Sequence, residues 1–256
     1  MALIRPDNAL EQTWIQKCCC RFMCKGPIPR HVAFIMDGNR RFAAKKHVER
    51  IEGHTRGFDK LAEVLKWCQD LGVEEVTVFA FSAENFKRSK EEVESLMELA
   101  RHKLALIMQE RDQLKANGVK IRVIGELKQL PEDIQNMAQE VMSITKDHAR
   151  CCLNVCFAYT SRHEMVQAMK DISLRLRNGT LQEDQITDDL FGKTLQIPSV
   201  DLAIRTSGEI RLSDFLMWQC SEACLEFTDA LWPEFSIWNF YAAILKYQYF
   251  IAAKKS

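Results

Sequence analysis

Proline and glycine are scarce in this sequence of 256 residues, at 6 and 10 positions. A chain so short of breakers, with 47% hydrophobic residues, is neither disordered nor collagen-like, and it is long enough to bury a core of its own. Net charge is missing too. Lys plus Arg number 35 and Asp plus Glu number 35, which excludes a bulk polybasic binder, so no nucleic-acid partner is expected. No apolar run approaches the ~20 residues of a membrane span. Arg5, Asp7 and Glu11 interrupt any signal-peptide core. The sequence has no Walker A segment, no G-x-G-x-x-G and no H-E-x-x-H, so P-loop, Rossmann and zincin chemistries lack their fingerprints. None of the ten cysteines forms a C-x-x-C pair. They read as reduced thiols, several of them small buried hydrophobes in runs such as Cys152-Leu-Asn-Val-Cys156.

What the sequence does contain is alternation. Apolar, β-rich runs at 31–36, 75–81, 119–124, 152–159, 200–204 and 225–227 predict strands. Helical periodicity predicts helices over 58–70, 90–116, 131–145, 164–176, 183–191 and 236–253, with a helical turn over 214–219. This βα pattern predicts one α/β domain with a central, mostly parallel sheet covered by helices on both faces. Ahead of it, residues 1–25 predict a separate amphipathic helix. Leu10, Trp14, Ile15, Cys18, Cys19 and Phe22 share one face of it, flanked by Lys17, Arg21 and Lys25. That helix reads either as an interfacial element touching a membrane or closing a tunnel, or as a helix packed on the core or on a partner. The main domain then spans 26–256.

In open α/β sheets, ligands bind beyond the carboxyl ends of the strands. Three loops there carry charge. After the first strand, Asp37-Gly38-Asn39-Arg40-Arg41 joins a strand end to a helix start, where backbone N–H groups and arginine forks suit phosphate. Arg50, Gly53, His54 and Arg56 follow. Asp37 among cations stays ionised and suits Mg²⁺; a helix cap with a solvated basic face behind it is the other reading. A haloacid-dehalogenase-type phosphatase would need a second Asp where Asn39 stands. After the second strand come Ser82, Glu84, Asn85, Lys87 and Arg88. Ser89 and Glu92 read as a capping box for the next helix. After the fifth strand, Arg205 and Arg211 bracket Thr206-Ser207-Gly208, with Ser213 a further donor. Two anion sites at one end of a sheet suggest an enzyme joining two phosphorylated substrates. Acidic residues such as Glu91, Glu92 and Glu94 are expected elsewhere, on helix exteriors.

Five segments taken together resemble the cis-prenyltransferases: His31-Val-Ala-Phe-Ile-Met-Asp37-Gly38-Asn39-Arg40-Arg41, Glu52-Gly53-His54, Ala80-Phe81-Ser82-Ala83-Glu84-Asn85-Phe86-Lys87-Arg88, Asp201 to Phe215, and Leu231-Trp232-Pro233-Glu234. The likeness spans about 26–247, and Arg40 with Cys156-Phe157-Ala158-Tyr159-Thr160-Ser161-Arg162 points to the eukaryotic, dehydrodolichyl branch. The resemblance implies addition of isopentenyl diphosphate units to farnesyl diphosphate, giving a long polyprenyl (dehydrodolichyl) diphosphate for dolichol synthesis and protein glycosylation. It implies that Asp37 holds Mg²⁺, with Asn85 and Ser82 at the reacting centre. Gly38, Asn39, Arg40, Arg41, Arg50 and His54 would hold the allylic diphosphate, and Arg88, Arg205, Arg211 and Ser213 the isopentenyl diphosphate. It also implies a hydrophobic tunnel for the chain and a peripheral place on the cytoplasmic face of the endoplasmic reticulum. Two departures stand out. Cys224 occupies a position where homodimeric members have a Glu that helps with Mg²⁺. An Arg-x-Gly motif that ends those members has no counterpart in Lys246 to Ser256, so a Nogo-B-receptor-like subunit is expected to supply it in a heteromer. A self-sufficient homodimer making polyprenyl or rubber-type chains, or a non-catalytic scaffold, are the alternatives.

Overall fold

A computed structural model describes residues 13–255. Strands β1 (His31–Ile35), β2 (Glu75–Ser82), β3 (Val119–Ile124), β4 (Cys151–Tyr159), β5 (Leu202–Arg205) and β6 (Cys224–Phe227) form one sheet ordered β3-β4-β2-β1-β5-β6. Every neighbouring pair is parallel, so the sheet expected to be mostly parallel is wholly so. The helices are α1 (Trp14–Met23), α2 (Asn39–Lys46), α3 (Arg50–Leu71), α4 (Lys90–Gln109), α5 (Arg111–Asn117), α6 (Glu132–Thr145), α7 (Ser161–Arg177), α8 (Asp188–Thr194) and α9 (Ile237–Lys255).

All of β1 is buried, as a strand covered on both faces must be. Its side chains alternate between two cores. Val32 and Phe34 join Leu61 and Val64 of α3 and Phe240 and Ile244 of α9. Ala33 and Ile35 join Tyr159, Ile197, Phe215 and Leu216. Phe34 is fully buried, with the rings of Trp232, Phe235 and Phe240 at 5.9, 6.4 and 6.2 Å. The indole N–H of Trp232 donates to Gly57 O at 2.6 Å, so this cluster also locks the β6–α9 connection onto α3.

Local expectations change. The helix expected over 90–116 breaks at Glu110. Its apolar stripe lapses at Arg111 and Asp112, and α5 then buries Leu114 against α6 and β3. Residues 214–219 form turns rather than a helical segment, with Asp214 and Leu216 at φ of 60° and 45°. Their polar groups are met from α7 instead. Ser161 N donates to Asp214 O, Arg162 N donates to Asp214 Oδ1, and Met217 N donates to Ser161 Oγ. On α1, which reads either as interfacial or as packed on the core, the contact with α9 uses the face opposite most of the apolar stripe. Cys20 and Met23 are buried, and Tyr241 and Gln248 of α9 donate to Gln16 O and Met23 O. Trp14, Ile15, Cys18 and Phe22 therefore stay exposed. Leu10 lies outside the described residues.

Phe34→Ala empties the centre of the aromatic cluster. It is expected to lower unfolding free energy by about 3–5 kcal/mol, read from urea denaturation curves.

Candidate active site

β1 pairs with β2 on one side and with β5 on the other. The chain leaves β1 toward β2 and leaves β5 toward β6, so the sheet order reverses here and a crevice opens beyond the carboxyl ends. A cavity of about 870 Å³ occupies it. Asp37, Gly38, Asn39, Arg40, Arg41, His54, Ser82, Asn85, Arg88, Arg205, Arg211 and Ser213 all line it. Arg50, the remaining residue expected there, lines an adjoining recess with His54.

The loop after β1 is held by the loop after β5. Thr206 Oγ1 accepts from Asp37 N at 3.0 Å and donates to Asp37 O at 2.6 Å. Asp37 Oδ1 accepts from Gly38 N at 2.7 Å, and Oδ2 accepts from Arg205 Nη2 at 3.0 Å. Gly38 has φ of 106°, and a Cβ there would lie 3.1 Å from both Leu231 Cα and Ser207 Cβ. Only glycine permits this turn and the close approach of its two neighbours. α2 then starts at Asn39, and its first residues Asn39, Arg40 and Arg41 line the cavity, where the first turn of a helix has N–H groups without intrahelical partners.

Arg205 is only 5% exposed. Besides Asp37, its Nη1 donates to Ser213 Oγ at 2.7 Å and to Arg211 O. Arg41 donates to Ser207 O at 2.8 Å and to Ser207 Oγ, and stands 3.9 Å from Asp37 and from Glu209. In the β2 loop, Ser82 N donates to Asn85 Oδ1 at 3.0 Å while Ser82 Oγ accepts from Glu84 N at 3.2 Å. This reciprocal cap fixes the Asn85 amide and leaves its Nδ2 for a ligand.

Glu92 is the residue that sequence reasoning misplaced. Ser89 Oγ does accept from Glu92 N, but the Glu92 side chain makes no return to the cap. It is 8% exposed and accepts from Arg88 at 2.9 Å and Arg50 at 3.1 Å, with Arg40 at 3.8 Å. A capping box is a weak local interaction, and three guanidinium groups outbid it. Arg162, bound to Asp214 at 2.8 Å, is a further lining cation; it ends the 156–162 segment but was not expected at the site. Six arginines against four carboxylates line the main cavity, so it attracts anions. Burial, then Arg40, push the Arg88 guanidinium below its usual value, and Glu92 and Asp37 oppose this.

An apolar cavity of about 180 Å³ opens from the same place, sharing Asn39, His54 and Leu96 with the charged one. It runs between the sheet and α3, α4 and α6, lined by residues such as Leu61, Val78, Leu104, Ile134 and Leu153. At the junction two buried polar atoms, Asn39 Oδ1 and His54 Nε2, have no protein partner. A Cβ on Gly57 would fall 2.3 Å from Asn39 Oδ1, so that glycine keeps the junction open. Burial, then the Arg88 and Arg40 charges, lower the His54 pKa to about 4.

This juxtaposition defines a class. Arginines at the mouth of a hydrocarbon-lined slot fit an amphiphile with a diphosphate head, and a second anion site beside it fits a transferase. Residues 35–251 match the family model described as putative undecaprenyl diphosphate synthase, and the chain belongs to this prenyltransferase family. It is 51% identical over 236 residues to the dehydrodolichyl diphosphate synthase complex subunit DHDDS of Homo sapiens, covering 91% of this chain and 71% of that one. It is 41% identical over 233 residues to the tritrans,polycis-undecaprenyl-diphosphate synthase (geranylgeranyl-diphosphate specific) of Archaeoglobus fulgidus, covering 90% and 92%. The lavandulyl diphosphate synthase of Lavandula x intermedia, crystallised with dimethylallyl diphosphate, matches with a TM-score of 0.80 at 30% identity, over 86% of this chain and 95% of that one.

The fold favours neutral His54, so its contribution to stability is complete above pH 6.5 and is lost as pH falls toward about 4. Unfolding free energy measured across that window is expected to fall less steeply in His54→Gln than in the wild type. An equal slope would mean that folding does not lower the His54 pKa.

Proposed function

We propose that the chain elongates farnesyl diphosphate with isopentenyl diphosphate, each new double bond cis, to a dehydrodolichyl-type diphosphate that feeds dolichol synthesis and protein glycosylation. The observation that carries this reading is two arginine groups meeting at the mouth of one apolar slot. Arg40, Arg41, Arg50 and His54, with the α2 N–H groups, face the allylic diphosphate, and Arg88, Arg205, Arg211 and Ser213 face the isopentenyl diphosphate. The allylic C–O bond breaks with its electron pair leaving on diphosphate. The isopentenyl double bond supplies the electrons of the new C–C bond, and a proton lost from the isopentenyl unit restores a double bond. Arginines aimed at the leaving oxygens lower the barrier because the charge develops there. Asn85 and Ser82, fixed by their mutual cap, border the reacting carbons, and the slot receives the growing hydrocarbon.

Asp37 offers hard carboxylate oxygens and is 37% exposed at the cavity. Among the described residues no group of three His, Cys, Asp or Glu side chains could hold a metal. Cys224 is buried at the start of β6, paired with Leu202, at the opposite end of the strands from Asp37. That set fits Mg²⁺, which takes one or two carboxylates and completes its shell with phosphate oxygens and water. Bound by Asp37 and the diphosphate, Mg²⁺ would neutralise leaving-group charge.

The relatives named as complex subunits support a heteromer; in it, a Nogo-B-receptor-like partner would supply the Arg-x-Gly motif. No helix among the described residues is long and apolar enough to cross a membrane. Trp14, Ile15 and Phe22, exposed on α1 beside Lys17 and Arg21, support peripheral attachment at the cytoplasmic face of the endoplasmic reticulum.

The test is incorporation of radiolabelled isopentenyl diphosphate into farnesyl diphosphate with Mg²⁺, with and without such a partner. Label is expected in long chains when the partner is present, and Asp37→Ala is expected to lower kcat at least about a hundredfold. An unaffected Asp37→Ala removes Asp37 from the chemistry, and full activity of the single chain removes the heteromer. Trp14→Asp with Phe22→Asp is expected to reduce co-sedimentation with anionic vesicles.

A further inference from the structure

One cation stands apart from the arginine groups. Lys103 of α4 lines the apolar cavity and is 8% exposed. An ammonium among hydrocarbon side chains is costly unless it is compensated. Two groups compensate it, both from α3. The ring of Phe58, itself part of the cavity wall, lies under Nζ at 4.3 Å from its centroid. The carboxylate of Asp59 stands 3.6 Å from Nζ and is 32% exposed. Asp59 is one residue further along α3, about 100° around the helix, and does not line the cavity. The lysine stem is therefore wall, while its charge is drawn outward through the α3–α4 seam.

The depth of this feature gives it meaning. Lys103 follows Glu92, which gathers Arg40, Arg50 and Arg88, by eleven residues of one helix. That separation is about 16 Å along the axis, comparable with an extended farnesyl chain. A starter held by its diphosphate at Arg40 and Arg50 brings its hydrocarbon end to Lys103, and every later unit drives the chain past it.

Resting on the elongation reading above, we propose that Lys103 is a specificity-determining residue of the hydrocarbon slot: it sets how far the chain extends, and Asp59 holds its ammonium out of the chain's path. The apolar replacement Lys103→Met keeps the wall and removes the charge, so the chain meets hydrocarbon along its whole route. Asp59→Asn removes the outward pull and leaves an uncompensated ammonium at the wall, which draws water into the slot. The two changes act in opposite directions. A pair that merely stapled α3 to α4 would be broken equally by both, and both would act in the same direction.

The experiment is chromatographic length analysis of labelled products, made by the full chain with its partner subunit supplied. Lys103→Met is expected to shift the distribution toward longer chains by one or more isoprene units, Asp59→Asn toward shorter ones, and Lys103→Arg to stay closest to wild type. Circular dichroism establishes that each variant is folded; Asp59→Asn, a near-isosteric change at a part-exposed position, gives a readout even if Lys103→Met does not fold. Unchanged lengths in a folded variant, or shifts of both variants in one direction, overturn the role of Lys103 while wild-type incorporation leaves the elongation reading intact. Absence of incorporation by the wild type overturns both.

Discussion

The ion pair between Asp37 and Arg205 ties the site together. Arg205 ends β5 and is almost wholly buried, so it needs an anion close by. Asp37, just beyond β1, provides one at 3.0 Å, and the two-way hydrogen bonds of Thr206 hold the backbones together. This joins the ends of two adjacent strands at the point where the sheet order reverses. Arg205 also grips Ser213 and the carbonyl of Arg211, so the whole β5 loop is placed relative to Asp37. Removing Asp37 would leave the buried Arg205 charge without its carboxylate partner.

A concentration of arginines is unstable by itself, since like charges close together repel. The site tolerates it because carboxylates are set among the cations. Glu92 draws together Arg40, Arg50 and Arg88, and Glu209 stands beside Arg41 and Arg211. The zero net charge of the chain therefore hides a local arrangement in which the cations lead by a small margin, at the mouth of an apolar slot. A net positive, partly compensated mouth suits diphosphates, which must bind and also leave. The hydrocarbon side of the site follows from the sheet. β2 and β4 are apolar toward α3, α4 and α6, and the same residues that would form an ordinary core stand back far enough to leave a cavity.

Much of this was legible in the sequence. The strands, their parallel pairing and the three charged loops followed from apolar runs, helical periodicity and the rule that loops beyond strand ends carry ligands. Those patterns are local, and each repeats over enough residues to be read without partners. Glu92 was not legible. Ser89 and Glu92 carry a cap signature, and nothing in the spacing reveals that Arg40 and Arg50, over forty residues earlier, are closer to its carboxylate. Which way the apolar stripe of α1 faces is left open for a related reason. Trp14, Ile15, Cys18 and Phe22 make the stronger stripe, yet Tyr241 and Gln248 hold the helix by its backbone carbonyls from the other side. Lys103 was invisible for the same reason: in sequence it is one more lysine on a charged helix.

By itself, the sequence determined the fold class, the family likeness and the set of residues available for chemistry, because those depend on local periodicity and on short motifs. The tertiary structure decided which of those residues meet. It placed Asp37 against Arg205 across a separation of 168 positions, set a carboxylate among three arginines, and turned the apolar face of α1 outward. It also put one lysine into the wall of a hydrocarbon slot. Charge pairing and burial depend on distance in space, and distance in space is what a linear order of residues leaves open.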